Sequence, residues 1–171
     1  MTGVQTCALP ISARQSADAI ADPDERAWSL VALAQALAAA GDDAAAQQTF
    51  TDVRQTAAAI ADPFWRAEAL CALAQALAAA QQWTEARQTA ETIADPFWRA
   101  AALRAVAVTL INVGQIDNAA ALLMRSWAQA QSSDELTRLF AVDASLLRTY
   151  PTLGSDLPEA FNWVERVVRA G

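Results

Sequence analysis

The chain has 171 residues, 54% hydrophobic and 18% charged, with twelve Arg, no Lys and no His against nineteen Asp plus Glu. The net charge of −7 argues against a nucleic-acid partner, which needs a basic stripe. The lack of His removes a Ser-His-Asp triad, a His-ligated metal site and a histidine pH switch. Two Cys are too few for a disulfide scaffold or a zinc cluster. Ala makes up about a quarter of the chain, with only five Gly and six Pro, which predicts long helices joined by short connections.

The first stretch, Met1–Ile11, carries no charge and is unrelated to the rest of the chain. It resembles the in-frame translation of a common sequencing-adapter oligonucleotide over all eleven residues. It is too short and lacks the basic start of a signal peptide. The expectation is a non-native, disordered segment 1–11, with the natural chain truncated before Ser12.

Self-similarity dominates the remainder. Ile20-Ala21-Asp22-Pro23 recurs at Ile60 to Pro63 and at Ile93 to Pro96, at spacings of 40 and 33. The heptapeptide at 61–67 is identical at 94–100, and ALAQALAAA is identical at 32–40 and 72–80. Residues 13–17 match 86–90 but for one Ser-to-Thr change, so a half-repeat at 12–21 precedes repeats at about 22–61, 62–94 and 95–131. Periods of this size predict a solenoid of helix pairs.

Each repeat reads as two helices. Asp22, Asp62 and Asp95 are predicted N-caps, each followed by Pro at the first helical position, where its missing N–H costs nothing. The first helices run to about Ala40, Ala80 and Val113. Their apolar stripes are Leu30, Leu33, Ala34, Leu37; then Leu70, Leu73, Ala74, Leu77; then Leu103, Val106, Ala107, Leu110. Gly41 and Gly114 suit the C′ position, and Gln81 suits it less well. The second helices are predicted at roughly 43–61, 83–94 and 116–131, with inward residues Ala46, Phe50, Val53; Ala86, Ala90, Ile93; and Ala119, Leu123, Ser126.

These residues resemble the tetratricopeptide repeat family in a divergent form. The likeness lies in Leu33, Ala34 and Leu37 with their copies, the turn at Gly41, Gln81 and Gly114, and Ala46, Ala86 and Ala119 on the second helices. The family's aromatic site keeps Phe50 but becomes Ala90 and Leu123. The 40-residue spacing makes the second helix of the first repeat about two turns too long. The resemblance implies an all-α, right-handed α-solenoid of antiparallel helix hairpins. Residues 132–171 break the repeat. A capping box at Ser132 and Glu135 and a turn at 150–154 predict a C-terminal helical-hairpin cap. An armadillo-like or other helical-hairpin array is the alternative.

The same resemblance places a groove along the first helices. Its rows are Trp28, Glu68 and Ala101; Val31, Cys71 and Arg104; Gln35, Gln75 and Val108; Ala38, Ala78 and Ile111; and Ala39, Ala79 and Asn112. The groove is shallow and mostly neutral. Trp28, Gln35, Glu68, Cys71, Gln75 and Arg104 are the candidates for gripping an extended peptide, against a plainer reading as solvent-exposed helix.

Arg26, Arg66 and Arg99 stand four residues after each cap Asp. They form a candidate ladder for a carboxylate-rich or phosphorylated ligand. The plainer reading pairs them with nearby acids such as Glu25, Glu68 or the cap Asp, because a cation in a first turn opposes the helix dipole and needs a local partner. Phe64-Trp65 and Phe97-Trp98 are expected to seal the joints between repeats, although such pairs also anchor partners.

Cys71 has no His or second credible Cys beside it and reads as a structural thiol. No carboxylate pair is isolated in an apolar run, as general acid–base catalysis requires. No phosphate-binding glycine loop occurs. The expectation is a non-enzymatic, cytoplasmic scaffold without catalytic residues, cofactor or metal. It would bind protein or peptide as the C-terminal sensing or scaffolding fragment of a larger bacterial signalling protein. It would bind no nucleic acid and no membrane, since no run reaches the ~20 apolar residues of a span. The competing expectation is a structural spacer, or a module that weakly self-associates through its truncated N-terminal edge.

Overall fold

The computed structural model describes residues 8–129. The predicted cap at 132–171 and the first seven residues of the adapter-like segment lie outside them. The described residues form helices α1 (Ala8–Asp18), α2 (Pro23–Ala39), α3 (Asp43–Ala59), α4 (Pro63–Ala79), α5 (Trp83–Glu91), α6 (Pro96–Asn112) and α7 (Ile116–Gln129), with no strand among them. Helix α1 thus takes in Ala8–Ile11, part of the stretch expected to be disordered. No helix among the described residues is long and apolar enough to cross a membrane.

The three Asp-Pro sites open equivalent helices of 17 residues each. Asp22, Asp62 and Asp95 sit in extended backbone, and one carboxylate oxygen of each accepts from the backbone N–H of Asp24, Phe64 and Trp98, at 2.8, 2.8 and 3.0 Å. Such a cap contributes about 1 kcal/mol.

All three first helices end in the same turn. The N–H of Gly41, Gln81 and Gly114 reaches back to Ala38, Ala78 and Ile111, and the next N–H reaches Leu37, Leu77 and Leu110. This is the Schellman arrangement, and it requires a left-handed residue at its centre. Gly41 and Gly114 supply φ of 78° and 80°, and Gln81 is driven to 61°.

The second helices differ more. α3 has 17 residues, α5 only nine and α7 fourteen. α3 exceeds α5 by eight residues, and the linker after α5 is longer by one, which together give the seven-residue difference between the repeat spacings of 40 and 33.

Each first helix packs on the second helix that comes after it: α2 on α3, α4 on α5 and α6 on α7. First helices also pack on one another, α2 on α4 and α4 on α6, while α1, α3 and α5 each touch the next first helix. One large apolar interior runs through the described residues, with a smaller cluster of Ala27, Ala57, Ile60 and Ala69 beside it. The large one contains Leu30, Leu33 and Leu37, then Leu73 and Leu77, then Leu103, Val106 and Leu110. From the second helices come Phe50, Val53, Ala86, Ala90, Ile93, Ala119 and Leu123. Leu70 is only half-buried against this interior.

Two buried hydroxyls donate to carbonyls of their own helices, while the buried Thr89 Oγ1 accepts from Arg54 Nη2 of α3 at 3.4 Å. Thr49 Oγ1 donates to Ala45 O at 2.7 Å and Ser126 Oγ to Leu122 O at 2.8 Å. At the N-terminal side Arg14 reaches Asp18 at 3.0 Å and Asp52 at 2.6 Å, tying α1 to α3.

Candidate functional site

The groove positions divide in two. Trp28, Gln35, Gln75 and Arg104 are exposed, and Glu68 is half-buried. Val31, Cys71 and Ala78 are buried within the common interior. Cys71 is therefore not presented on a groove surface. It occupies the place of Val31 one repeat later, and both are buried in the same apolar cluster, so it fills a packing site as Val does.

Chemistry at Cys71 agrees with that placement. Burial pushes its thiol up from the ordinary value. A hydrogen bond from Gln75 Nε2 at 3.3 Å opposes the shift and the Glu68 charge adds to it. A thiol held protonated is a weak nucleophile. Glu68 Oε2 is buried without a hydrogen-bond partner among the described residues.

The Arg positions are arranged otherwise than the sequence suggests. Arg66 and Arg99 are half-buried and turn back to main-chain carbonyls. Arg66 Nη1 donates to Ile60 O at 3.4 Å, and Arg99 Nη1 to Ile93 O at 3.3 Å and Ala94 O at 3.4 Å. These carbonyl partners have a physical reason. The preceding second helix ends just there, with carbonyls unsatisfied by its own turns and the negative end of its dipole. Arg26 makes no such bond among the described residues, and its Nε is buried without a hydrogen-bond partner. The three guanidiniums do not form a uniform outward ladder.

The aromatic pairs reach across one joint, but at the surface. Phe64 of α4 meets Trp98 of α6 edge-on at 5.5 Å. Within each helix start, Phe64 meets Trp65 at 5.1 Å and Phe97 meets Trp98 at 5.2 Å, also edge-on. Phe64 is 53% exposed, Trp65 45% and Phe97 45%. Trp98, half-buried against the apolar interior, closes the joint between α4 and α6 as expected, while Phe64, Trp65 and Phe97 extend from it as a strip of exposed rings along the helix starts. In α2 the corresponding positions hold Asp24 and Glu25. Desolvation, then the charges of Asp22 and Asp62, hold the Asp24 carboxyl above its ordinary value. Asp62 caps the neighbouring helix, so the acids of these helix starts feel one another.

A cleft of about 380 Å³ lies between α5, α6 and α7. Trp83, Arg87, Asn118, Leu122 and Arg125 are among its lining residues. Arg87 is held by Glu91 at 2.8 Å. Sequence reasoning missed this cleft because its polar residues lie on second helices, outside the groove that the family resemblance supplies. The signal available was the i, i+4 pair Trp83 and Arg87 facing Asn118, Leu122 and Arg125 at helical spacing.

Comparison of the chain with protein-family models, with curated proteins and with solved structures finds no match.

Proposed function

We propose that this chain is a non-catalytic, tetratricopeptide-like α-solenoid that binds a protein or peptide along its first helices. One observation carries the reading. Three equivalent 17-residue helices lie in sequence against one another, and Trp28, Gln35, Gln75 and Arg104 are all exposed on them. A row of parallel-register helices with a few polar groups and one large aromatic offers an extended chain both hydrogen bonds and an anchor. Glu68, half-buried beside Cys71, borders this row, while Cys71 belongs to the interior. The weakly nucleophilic thiol supports a binding rather than a catalytic role. In the same reading the chain works in the cytoplasm as the sensing or scaffolding fragment of a bacterial signalling protein.

Selection of a displayed random-peptide library against the chain tests the proposal. Enriched peptides should lose at least about tenfold in affinity on Trp28→Ala combined with Gln75→Ala, the loss of one anchor and its neighbour. Peptides that bind this variant as tightly as the parent would overturn the groove.

A further inference from the structure

The cleft between α5, α6 and α7 carries chemistry that the repeat itself does not supply. Its floor is apolar, with Val106, Leu110 and Leu122 all buried. Trp83 lines it from α5, half-buried against the interior. Arg87 lines it from α5 and Arg125 from α7. The repeat spacings of 40 and 33 show what stands at these places one unit earlier. Trp83 and Arg87 correspond to Asp43 and Gln47, and Asn118 and Arg125 correspond to Glu85 and Thr92. The ring and the two guanidiniums are therefore particular to this joint. Arg125 is present because α7 runs on to Gln129, whereas Thr92 already closes α5.

The charge at the cleft is also particular. Glu91 engages only Nη1 of Arg87, with its two oxygens at 2.8 and 2.9 Å, which leaves Nε and Nη2 to donate elsewhere. Arg125 is exposed and makes no hydrogen bond or ion pair among the described residues. Glu85 and Asp117, the other acids of these three helices, do not line the cleft. Two guanidiniums against one carboxylate leave one positive charge beside an apolar floor, in a chain whose net charge is −7.

We propose that this cleft binds a small amphipathic carboxylate, with its head on Arg87 and Arg125 and its apolar body on Trp83 and the floor. A guanidinium presents paired donors that match a carboxylate. One surplus positive charge suits a monoanion. The volume of about 380 Å³ is in the range of small-molecule sites, about 300–1,000 Å³. An inorganic dianion would meet the charge and gain nothing from the floor. A neutral compound would gain the floor and leave the donors to water.

The probes are decanoate, 4-phenylbutyrate and indole-3-butyrate, each titrated against the full chain by ligand-observed NMR. Each is matched by its primary amide, and inorganic phosphate stands for the head alone. The tightest carboxylate should bind at least about tenfold more tightly than its amide, the worth of one charge-assisted hydrogen bond. Phosphate should be weaker still. Arg125→Gln, at an exposed position, should cost the carboxylate about tenfold and leave the amide unchanged. Arg87→Gln should cost more, because it also leaves Glu91 unpaired beside the head. Ala121→Trp, at an exposed lining position, should fill the cleft and abolish binding of both forms. Circular dichroism should show unchanged helix content in all three variants.

Equal affinity for carboxylate and amide, or binding of none of the three pairs, would overturn the proposal. So would phosphate binding as tightly as the best carboxylate, since the floor would then contribute nothing. Parent affinity in Arg125→Gln or in Ala121→Trp would overturn it as well. None of these results touches the groove, whose test uses Trp28 and Gln75.

Discussion

The turns after α2 and α4 come after the same nine residues, ALAQALAAA, and have the same hydrogen bonds, yet they are built from different chemistry. The first uses Gly41 and then Asp42, whose side chain caps α3 by accepting from Ala45 N at 3.2 Å. The second uses Gln81 and then Gln82, which makes no side-chain cap. Local preference cannot account for the second turn. It forms because Leu77 and Ala78, fully buried just before it, and Ala86 and Ala90, fully buried just after it, hold the two helices in place. Packing imposes at Gln81 the backbone that glycine takes freely at Gly41. The cost of left-handed backbone at a non-glycine residue is about 1–2 kcal/mol.

The comparison breaks most severely if packing is removed from beneath the turns. Leu77→Ala should cost about 2–5 kcal/mol in chemical denaturation, as should the equivalent Leu37→Ala. A change below about 0.5 kcal/mol at either site, the range of surface substitutions, would show that the buried face is wrongly assigned. Next in size is Gly41→Ala. A Cβ at Gly41 meets nothing within 4 Å, so the penalty is the backbone alone, about 1–2 kcal/mol. The reverse exchange sharpens the point: Gln81→Gly should stabilise the chain by about 1 kcal/mol, raising the denaturation midpoint. Giving the second turn the missing cap, Gln82→Asp, should add about 0.5–1 kcal/mol. If Gln81→Gly and Gln82→Asp together gain nothing, the two turns are not equivalent.

The smallest effect concerns pH. The folded state holds the Asp24 carboxyl above its ordinary value, so folding favours the protonated form. Ionised Asp24 therefore opposes folding. The penalty sets in as pH rises through the unfolded value and is complete above the folded one. It is relieved as pH falls back through that window. Asp24→Asn should be more stable than the parent at neutral pH, with the difference shrinking as the solution is acidified. An excess that grows on acidification would reverse the sign.

Much of the architecture was legible because it is written in local signals. The Asp-Pro caps, the Leu stripes and the two turn glycines each carry a mechanism that works within a few residues. The candidate site was less so. The Arg66 and Arg99 partners are main-chain carbonyls, which a sequence does not label. The exposure of Phe64, Trp65 and Phe97 depends on how far neighbouring helix starts project, and the same spacing would equally suit an interior seal. Cys71 was placed by analogy with a family groove, whereas it is buried in the common apolar interior. The cleft beside Arg87 and Arg125 depends on three helices at once.

The bonds from Arg66 to Ile60 and from Arg99 to Ile93 join the exit of one helix pair to the entry of the next. Fraying at the end of α3 withdraws the partner of Arg66, and fraying of α5 withdraws that of Arg99. Disruption should then travel onward along the chain instead of staying where it began. Arg26 lacks that link, so α1 can peel away without loosening α2 in the same manner, and the array has a natural firebreak at its first joint.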